Sequence, residues 1–253
     1  MTHSVSVCNQ KGGVAKTTTC LSLGACLAEM GKTVLLIDLD PQANLTSSLA
    51  LRPGFLRHSI ADVLRGTIPP EGVAQRTGVA GLDILPANAA LAVLEKALYR
   101  NNSYETMLSK AFSAMDPALY DYALIDCPPS LGPLTLNALT AANLMIIPTP
   151  PEFYALSSLQ NVFALVKVVR RKTNPALRYR ILVTMHDRRN SVYVSMLDHM
   201  RTEYQGALFD TVIEVDTRLR ESPLLGVPIT VYKPGTRAAQ QYRALAREVV
   251  QYE

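Results

Sequence analysis

The chain has 253 residues, a formal net charge of +4 and 48% hydrophobic residues, enough for one α/β domain with a sizeable core. It contains no charge-free apolar run of about 18 residues that would mark a transmembrane helix. Its alternating residues 3–8 leave no room for a signal peptide. The cysteines Cys8, Cys20, Cys26 and Cys127 form no C-x-x-C pair, and each sits in or beside an apolar run, as reduced thiols packed in a cytosolic core would.

Short apolar runs alternate with helical patterns along the whole chain. Strands are expected at 5–8, 33–37, 82–85, 122–125, 144–148, 180–184 and 208–213. Their Val/Ile/Leu richness without polar alternation is that of strands buried on both faces. Helices are expected at 17–30, 60–64, 89–98, 104–115, 134–142, 156–172, 191–204 and 236–252. Within 156–172 the residues Leu156, Leu159, Val162, Phe163, Val166 and Val169 form one apolar stripe. Such β-α alternation predicts a doubly wound, mainly parallel sheet with helices on both faces, built as a single domain over 1–253. No N-terminal helix-turn-helix domain is expected.

The first strand runs into K-G-G-V-A-K-T-T (11–18). A glycine-rich loop between a strand and a helix aims backbone N–H groups and a helix N-terminus at one anion, as a phosphate-binding loop must. Gly12 and Gly13 allow close backbone approach, and Val14 and Ala15 complete the loop before the helix. Lys16 would neutralise phosphate oxygens, the Thr17 hydroxyl would ligate Mg²⁺, and Thr18 continues the helix start. Gln10 and Ala15 stand where a standard P-loop has glycine, so the loop by itself is a weak match. Asp38 and Asp40 emerge at the C-terminal end of an apolar strand, the ligand edge of an open α/β sheet. Asp126 ends another apolar strand, the Walker B pattern in which a carboxylate holds Mg²⁺ through water.

N-Q-K-G-G-V-A-K-T-T-T (9–19) followed by L-L-I-D-L-D-P-Q-A-N (35–44) closely resembles the ParA/Soj branch of the ParA/MinD family of deviant Walker A P-loop ATPases. The resemblance continues at D-Y-A-L-I-D-C-P-P-S (121–130), T-M-H-D-R-R (184–189) and R-L-R-E-S-P (218–223). It implies an ATP- and Mg²⁺-dependent hydrolase. Lys11 would reach the nucleotide of a second subunit in an ATP-bound homodimer. Asp40 would position the attacking water, and Asp38 would lie near the magnesium. In the family segment V-I-P-R-N-V-R, this chain reads V-I-E-V-D-T-R (212–218). Asp216 thus takes the base-contacting position and Glu214 replaces proline. Ala15, where the family carries glycine, is tolerable if its φ is negative.

Charge is uneven. Residues 1–150 hold 10 Lys+Arg against 11 Asp+Glu, whereas residues 151–253 hold 15 against 10, and 12 of those 15 are arginine. By itself this suggests either a polyanion partner or ordinary solvated helix faces. The resemblance implies non-specific DNA binding through Arg218, Arg220, Lys233, Arg237 and Arg243, with Arg170, Arg171, Arg188 and Arg189 as further candidates. It also implies a ParB-like or other cargo adaptor that stimulates hydrolysis, and a cytoplasmic, nucleoid-associated location. A MinD-like membrane role would need a basic amphipathic helix after 252, and none is expected. An iron–sulfur carrier would need interface cysteines at another spacing.

Overall fold

The computed structural model describes residues 2–99 and 103–252. Its strands are β1 (His3–Val7), β2 (Val34–Asp38), β3 (Gln75–Arg76), β4 (Leu82–Leu85), β5 (Tyr122–Asp126), β6 (Leu144–Thr149), β7 (Arg178–His186) and β8 (Leu208–Glu214). They form one sheet in the order β3-β4-β2-β5-β1-β6-β7-β8. Every pairing is parallel except β3 against β4.

Successive residues along the central strands serve opposite faces, as the strand period of two requires. Leu36, Leu124, Ile146 and Leu182 join a core covered by the helices Lys16–Glu29 and Arg237–Gln251. Their neighbours Ile37, Ile125, Ile147 and Val183 join the opposite core, under the helices Ala89–Leu98, Pro133–Ala141 and Phe153–Lys172. Both faces are dry, so both sets of side chains are apolar and the strands read as continuous hydrophobic runs.

All seven expected strands are present. β3 is an eighth that the apolar pattern could not announce, being two polar residues long. β7 extends past its expected 180–184 because Arg178 and Tyr179 continue the ladder opposite Leu144 and Met145. The expected helix 104–115 is a 3₁₀ turn, Tyr104–Thr106, followed by the helix Met107–Ala114.

Helix Lys16–Glu29 lies very close to the sheet at Gly24. A Cβ there would stand 2.7 Å from Leu36 Cδ2 and 3.2 Å from Leu82 Cδ1. That approach seats the first turn of the helix over the ends of β1, β2 and β5. Val7 and Asp38 are both register partners of Asp126. The chain steps from one side of β1 to the other between β5 and β6, so the sheet's crevice opens at this place.

Candidate active site

The loop between β1 and helix Lys16–Glu29 is pinned at both shoulders. Asn9, fully buried, donates from Nδ2 to the Pro148 carbonyl (2.8 Å), and its Oδ1 accepts the Lys11 N–H (3.0 Å). Thr184 Oγ1 donates to the Val14 carbonyl (3.1 Å). Gly13 takes φ +73° and Ala15 takes φ +68°. The sequence expectation for Ala15 required a negative φ. The loop instead keeps the left-handed turn that suits glycine, at a cost of roughly 1–2 kcal/mol for a residue with a Cβ. Lys16, 8% exposed, folds back over the loop and donates to the Lys11 carbonyl at 3.0 Å.

Behind the loop, Thr17 Oγ1 donates to Asp126 Oδ2 at 2.7 Å. Asp126 is 1% exposed, and its Oδ1 has no hydrogen-bond partner among the described residues. Burial first, then the nearby Asp38 carboxylate, push its pKa well above the ordinary carboxylate range. A buried, unpartnered carboxylate oxygen beside a threonine hydroxyl fits a hard divalent cation that takes oxygen ligands. No three His, Cys, Asp or Glu side chains among the described residues gather to hold a metal unaided. An ion here would therefore take much of its shell from the Thr17 hydroxyl, water and a bound anion.

Asp38 is fully buried and its oxygens are engaged. Oδ2 accepts the Thr46 N–H (2.8 Å) and hydroxyl (2.6 Å), and Oδ1 accepts the Asp40 N–H (3.2 Å). Burial pushes it up to about 6 against these hydrogen bonds. Thr46 was not visible as a site residue in the sequence, because only the fold of 38–46 brings it back to Asp38. Asp40 is 8% exposed, and its Oδ1 accepts the Gln42 N–H at 2.9 Å.

Lys11 is held within its own chain. Its Nζ lies 2.6 Å from Glu152 Oε2, while the Tyr193 hydroxyl donates to Glu152 Oε1 at 2.8 Å. The Lys11 contact, then the Tyr193 contact, lower the pKa of Glu152. Neither Glu152 nor Tyr193 carried a motif that sequence reading could use.

The phosphate-loop residues and Asp40 open onto one cleft of about 500 Å³. Gly12, Gly13, Ala15, Lys16, Thr17, Thr18 and Asp40 form one side. Met185, Ile213, Val215 and Leu219 give the far side an apolar wall, with Glu214, Asp216 and Arg220 among them. A triphosphate end and a flat apolar end at opposite sides of one cleft is a nucleotide-shaped arrangement. Asp216 lines the same cleft, with Oδ1 accepting the Arg218 N–H at 3.0 Å.

The five expected DNA-contacting cations are not one free patch. Arg218 lies 3.5 Å from Asp216, Arg220 lines the cleft, and Arg237 pairs with Glu214 at 3.0 Å, so these three share its far end. Lys233 stands over the Tyr232 ring at 5.5 Å. Arg243 is drawn to Glu29 by two contacts of 2.7 and 3.0 Å. Of the further candidates, Arg188 pairs with Glu214 and Arg189 with Asp187. Arg170 donates to the Leu177 carbonyl.

A family profile described as an AAA domain matches residues 2–179. The chain is 40% identical to the sporulation initiation inhibitor protein Soj of Bacillus subtilis (strain 168), over 97% of each chain. It is 39% identical to the chromosome partitioning protein ParA of Caulobacter vibrioides (strain NA1000 / CB15N), over 98% of this chain and 94% of that one. A Mycobacterium smegmatis structure described as cobyrinic acid a,c-diamide synthase with bound ADP and magnesium superposes with TM-score 0.87 and 36% identity. That match covers 100% of this chain and 95% of that one. No helix among the described residues is long and apolar enough to cross a membrane.

Proposed function

The chain belongs to the Soj/ParA family of chromosome-partitioning P-loop ATPases, and from that premise we propose that it hydrolyses ATP as a DNA-bound dimer to segregate or position a cargo. The observation that carries this reading is the Thr17–Asp126 contact at 2.7 Å, with the unpartnered Asp126 Oδ1 beside it, under a loop holding Lys16.

Each residue's part follows from its place. The loop N–H groups from Gly12 to Thr18 and the ammonium of Lys16 bind the phosphates, and Lys16 exchanges the Lys11 carbonyl for a phosphate oxygen. Thr17 and Asp126 would hold Mg²⁺, which supplies charge neutralisation on the phosphates. Asp38, with both oxygens already engaged, supports that site by fixing the 38–46 turn rather than by offering a free oxygen. Asp40, on the cleft wall, orients the attacking water. The base lies against Met185, Ile213 and Leu219, where Asp216 offers an acceptor to an exocyclic amino group.

Dimerisation asks Lys11 to leave Glu152 for the partner's phosphates. The pair is about one-third exposed, and such pairs contribute little, about 0–1 kcal/mol, so the exchange is cheap. Non-specific DNA binding draws on the arginines at the far end of the cleft, in a cytoplasmic, nucleoid-associated protein of a single domain. A ParB-like or other adaptor supplies cargo and stimulates hydrolysis. A nucleotide-binding module without turnover is the second reading, favoured by the strained Ala15.

Phosphate release with and without duplex DNA tests the proposal. Wild type should turn over ATP with Mg²⁺ and Lys16→Ala should bind no nucleotide. Asp40→Ala should bind ATP but lose about 10²-fold or more in rate. Tight ATP binding with no turnover in wild type would select the second reading.

A further inference from the structure

Glu214 ends β8 at the position where the family segment carries proline, and its side chain is 4% exposed. Its buried carboxylate is answered from two elements distant in sequence. Arg188, in the turn after β7, places Nη2 2.5 Å from Oε1, and Arg237, the first residue of the C-terminal helix, places Nη1 3.0 Å from Oε2. Arg237 Nη2 also reaches the Val215 carbonyl at 3.4 Å. Gln241, one turn further along that helix, completes the set. It donates from Nε2 to Glu214 Oε1 (3.1 Å) and accepts the Glu214 N–H (3.0 Å).

The two arginines are not consumed by this contact. Their side chains stay 71% and 55% exposed, and a guanidinium carries five N–H donors in a planar fork. One carboxylate beneath two guanidiniums leaves a net charge of +1 and holds both forks side by side at the far end of the cleft. Anchored at one edge by Glu214, each fork is partly ordered already, so an incoming anion bears less of the cost of ordering it. The geometry points to Glu214 as a positioning residue that sets Arg188 and Arg237 as a pre-formed clamp for the phosphodiester backbone of nucleic acid.

A backbone fits better than a lone anion. A net +1 at an exposed site holds a single phosphate weakly, whereas a polyanion gains from cations in series. Arg218 and Arg220 lie at the same end of the cleft, and residues 151–253 carry 15 basic against 10 acidic side chains. Two guanidiniums on a rigid base contact phosphates without reading sequence. This inference rests on the DNA arm of the proposed function and assigns it a site.

The clamp predicts an effect opposite in sign to simple electrostatics. Removing the negative charge in Glu214→Gln should tighten DNA binding if only net charge matters. It should weaken binding if Glu214 positions the arginines. The experiment is equilibrium binding of the ATP-saturated protein to a short labelled duplex of arbitrary sequence, across a salt series. Glu214→Gln should weaken binding about tenfold and flatten the slope of log K against log salt by roughly 1–2, the loss of one or two phosphate contacts. Arg188→Ala and Arg237→Ala should each weaken it, and should add little on top of Glu214→Gln. Asp210→Asn, the same charge change at an exposed position of β8, should leave binding equal or slightly tighter. Wild-type affinity in folded Glu214→Gln overturns the clamp. If that variant does not fold, the two arginine variants decide, and wild-type affinity in both overturns it. A wild type that binds ATP but no duplex sinks the DNA arm together with the clamp. A wild type that binds duplex while the clamp variants match it sinks the clamp and leaves the DNA arm standing.

Discussion

Thr17 Oγ1 donates to Asp126 Oδ2 across 2.7 Å, and the other oxygen of the same buried carboxylate has no partner among the described residues. A half-satisfied, fully buried charge is costly to the folded protein unless a cation or proton joins it. Asp126→Asn removes the charge and keeps an oxygen for Thr17. The nucleotide-free protein should then gain about 1–3 kcal/mol of stability in urea denaturation. The same variant should lose the Mg²⁺-dependent part of ATP binding by calorimetry, with and without chelator. A variant that is less stable and binds Mg²⁺-ATP normally would remove Asp126 from the metal site.

The raised pKa of Asp38 has a consequence with a definite sign. Its folded value, about 6, lies above the ordinary 3.8, so between those values the native state holds more protons than the unfolded chain. Stability therefore falls as pH rises through that window, and the penalty is complete above it. Asp126 is shifted in the same direction. For Asp38 the change amounts to about 3 kcal/mol, from two pKa units at about 1.4 kcal/mol each. Urea midpoints of the Mg²⁺- and nucleotide-free protein from about pH 4 to 7 measure it. The fall should be shallower in Asp38→Asn, and identical slopes would mean that Asp38 does not titrate there.

The ion pair of Lys11 with Glu152 sets the state from which a dimer must form. Glu152→Gln keeps the acceptor for Tyr193 but loosens the hold on Lys11. Stability should change by less than about 1 kcal/mol, as for other partly exposed pairs. With ATP present, sedimentation should show the variant dimerising at lower protein concentration than wild type, and Lys11→Ala remaining monomeric. Equal dimerisation in wild type and Lys11→Ala would detach Lys11 from the interface.

How much of this could be read in advance divides along physical lines. Strands buried on both faces announce themselves as apolar runs, which is why β1, β2 and β4 to β8 were legible while the two polar residues of β3 were not. Lys16, Thr17 and Asp126 were legible because each sits at a fixed offset from a strand end. Thr46, Glu152 and Tyr193 were hidden, since they meet Asp38, Lys11 and Glu152 respectively through contacts 8, 141 and 41 residues apart in sequence. The arginine-rich half was visible as composition. Composition could not show that Arg237 is anchored at one edge by Glu214 or that Arg243 is drawn to Glu29.

Ala15 is where a sequence departure and a backbone angle meet. Its φ of +68° and ψ of 32° keep the left-handed turn although the residue carries a Cβ. The loop is held there by Asn9 on one shoulder and Thr184 on the other, so relaxing the angle would cost those hydrogen bonds. Ala15→Gly should therefore stabilise the protein by about 1 kcal/mol, after allowing for glycine's greater freedom in the unfolded chain. For a chain of this size that is a rise in melting temperature of roughly 2–4 °C. Ala15→Val should do the reverse and by more, since a β-branched residue tolerates this region least. The same pair of variants separates strain from function. Relief of strain without a change in ATP affinity or turnover makes the alanine a tolerated cost. A matching rise in either makes the strained loop the element that sets this enzyme's rate. An Ala15→Gly protein that melts below wild type would show that the turn is not strained.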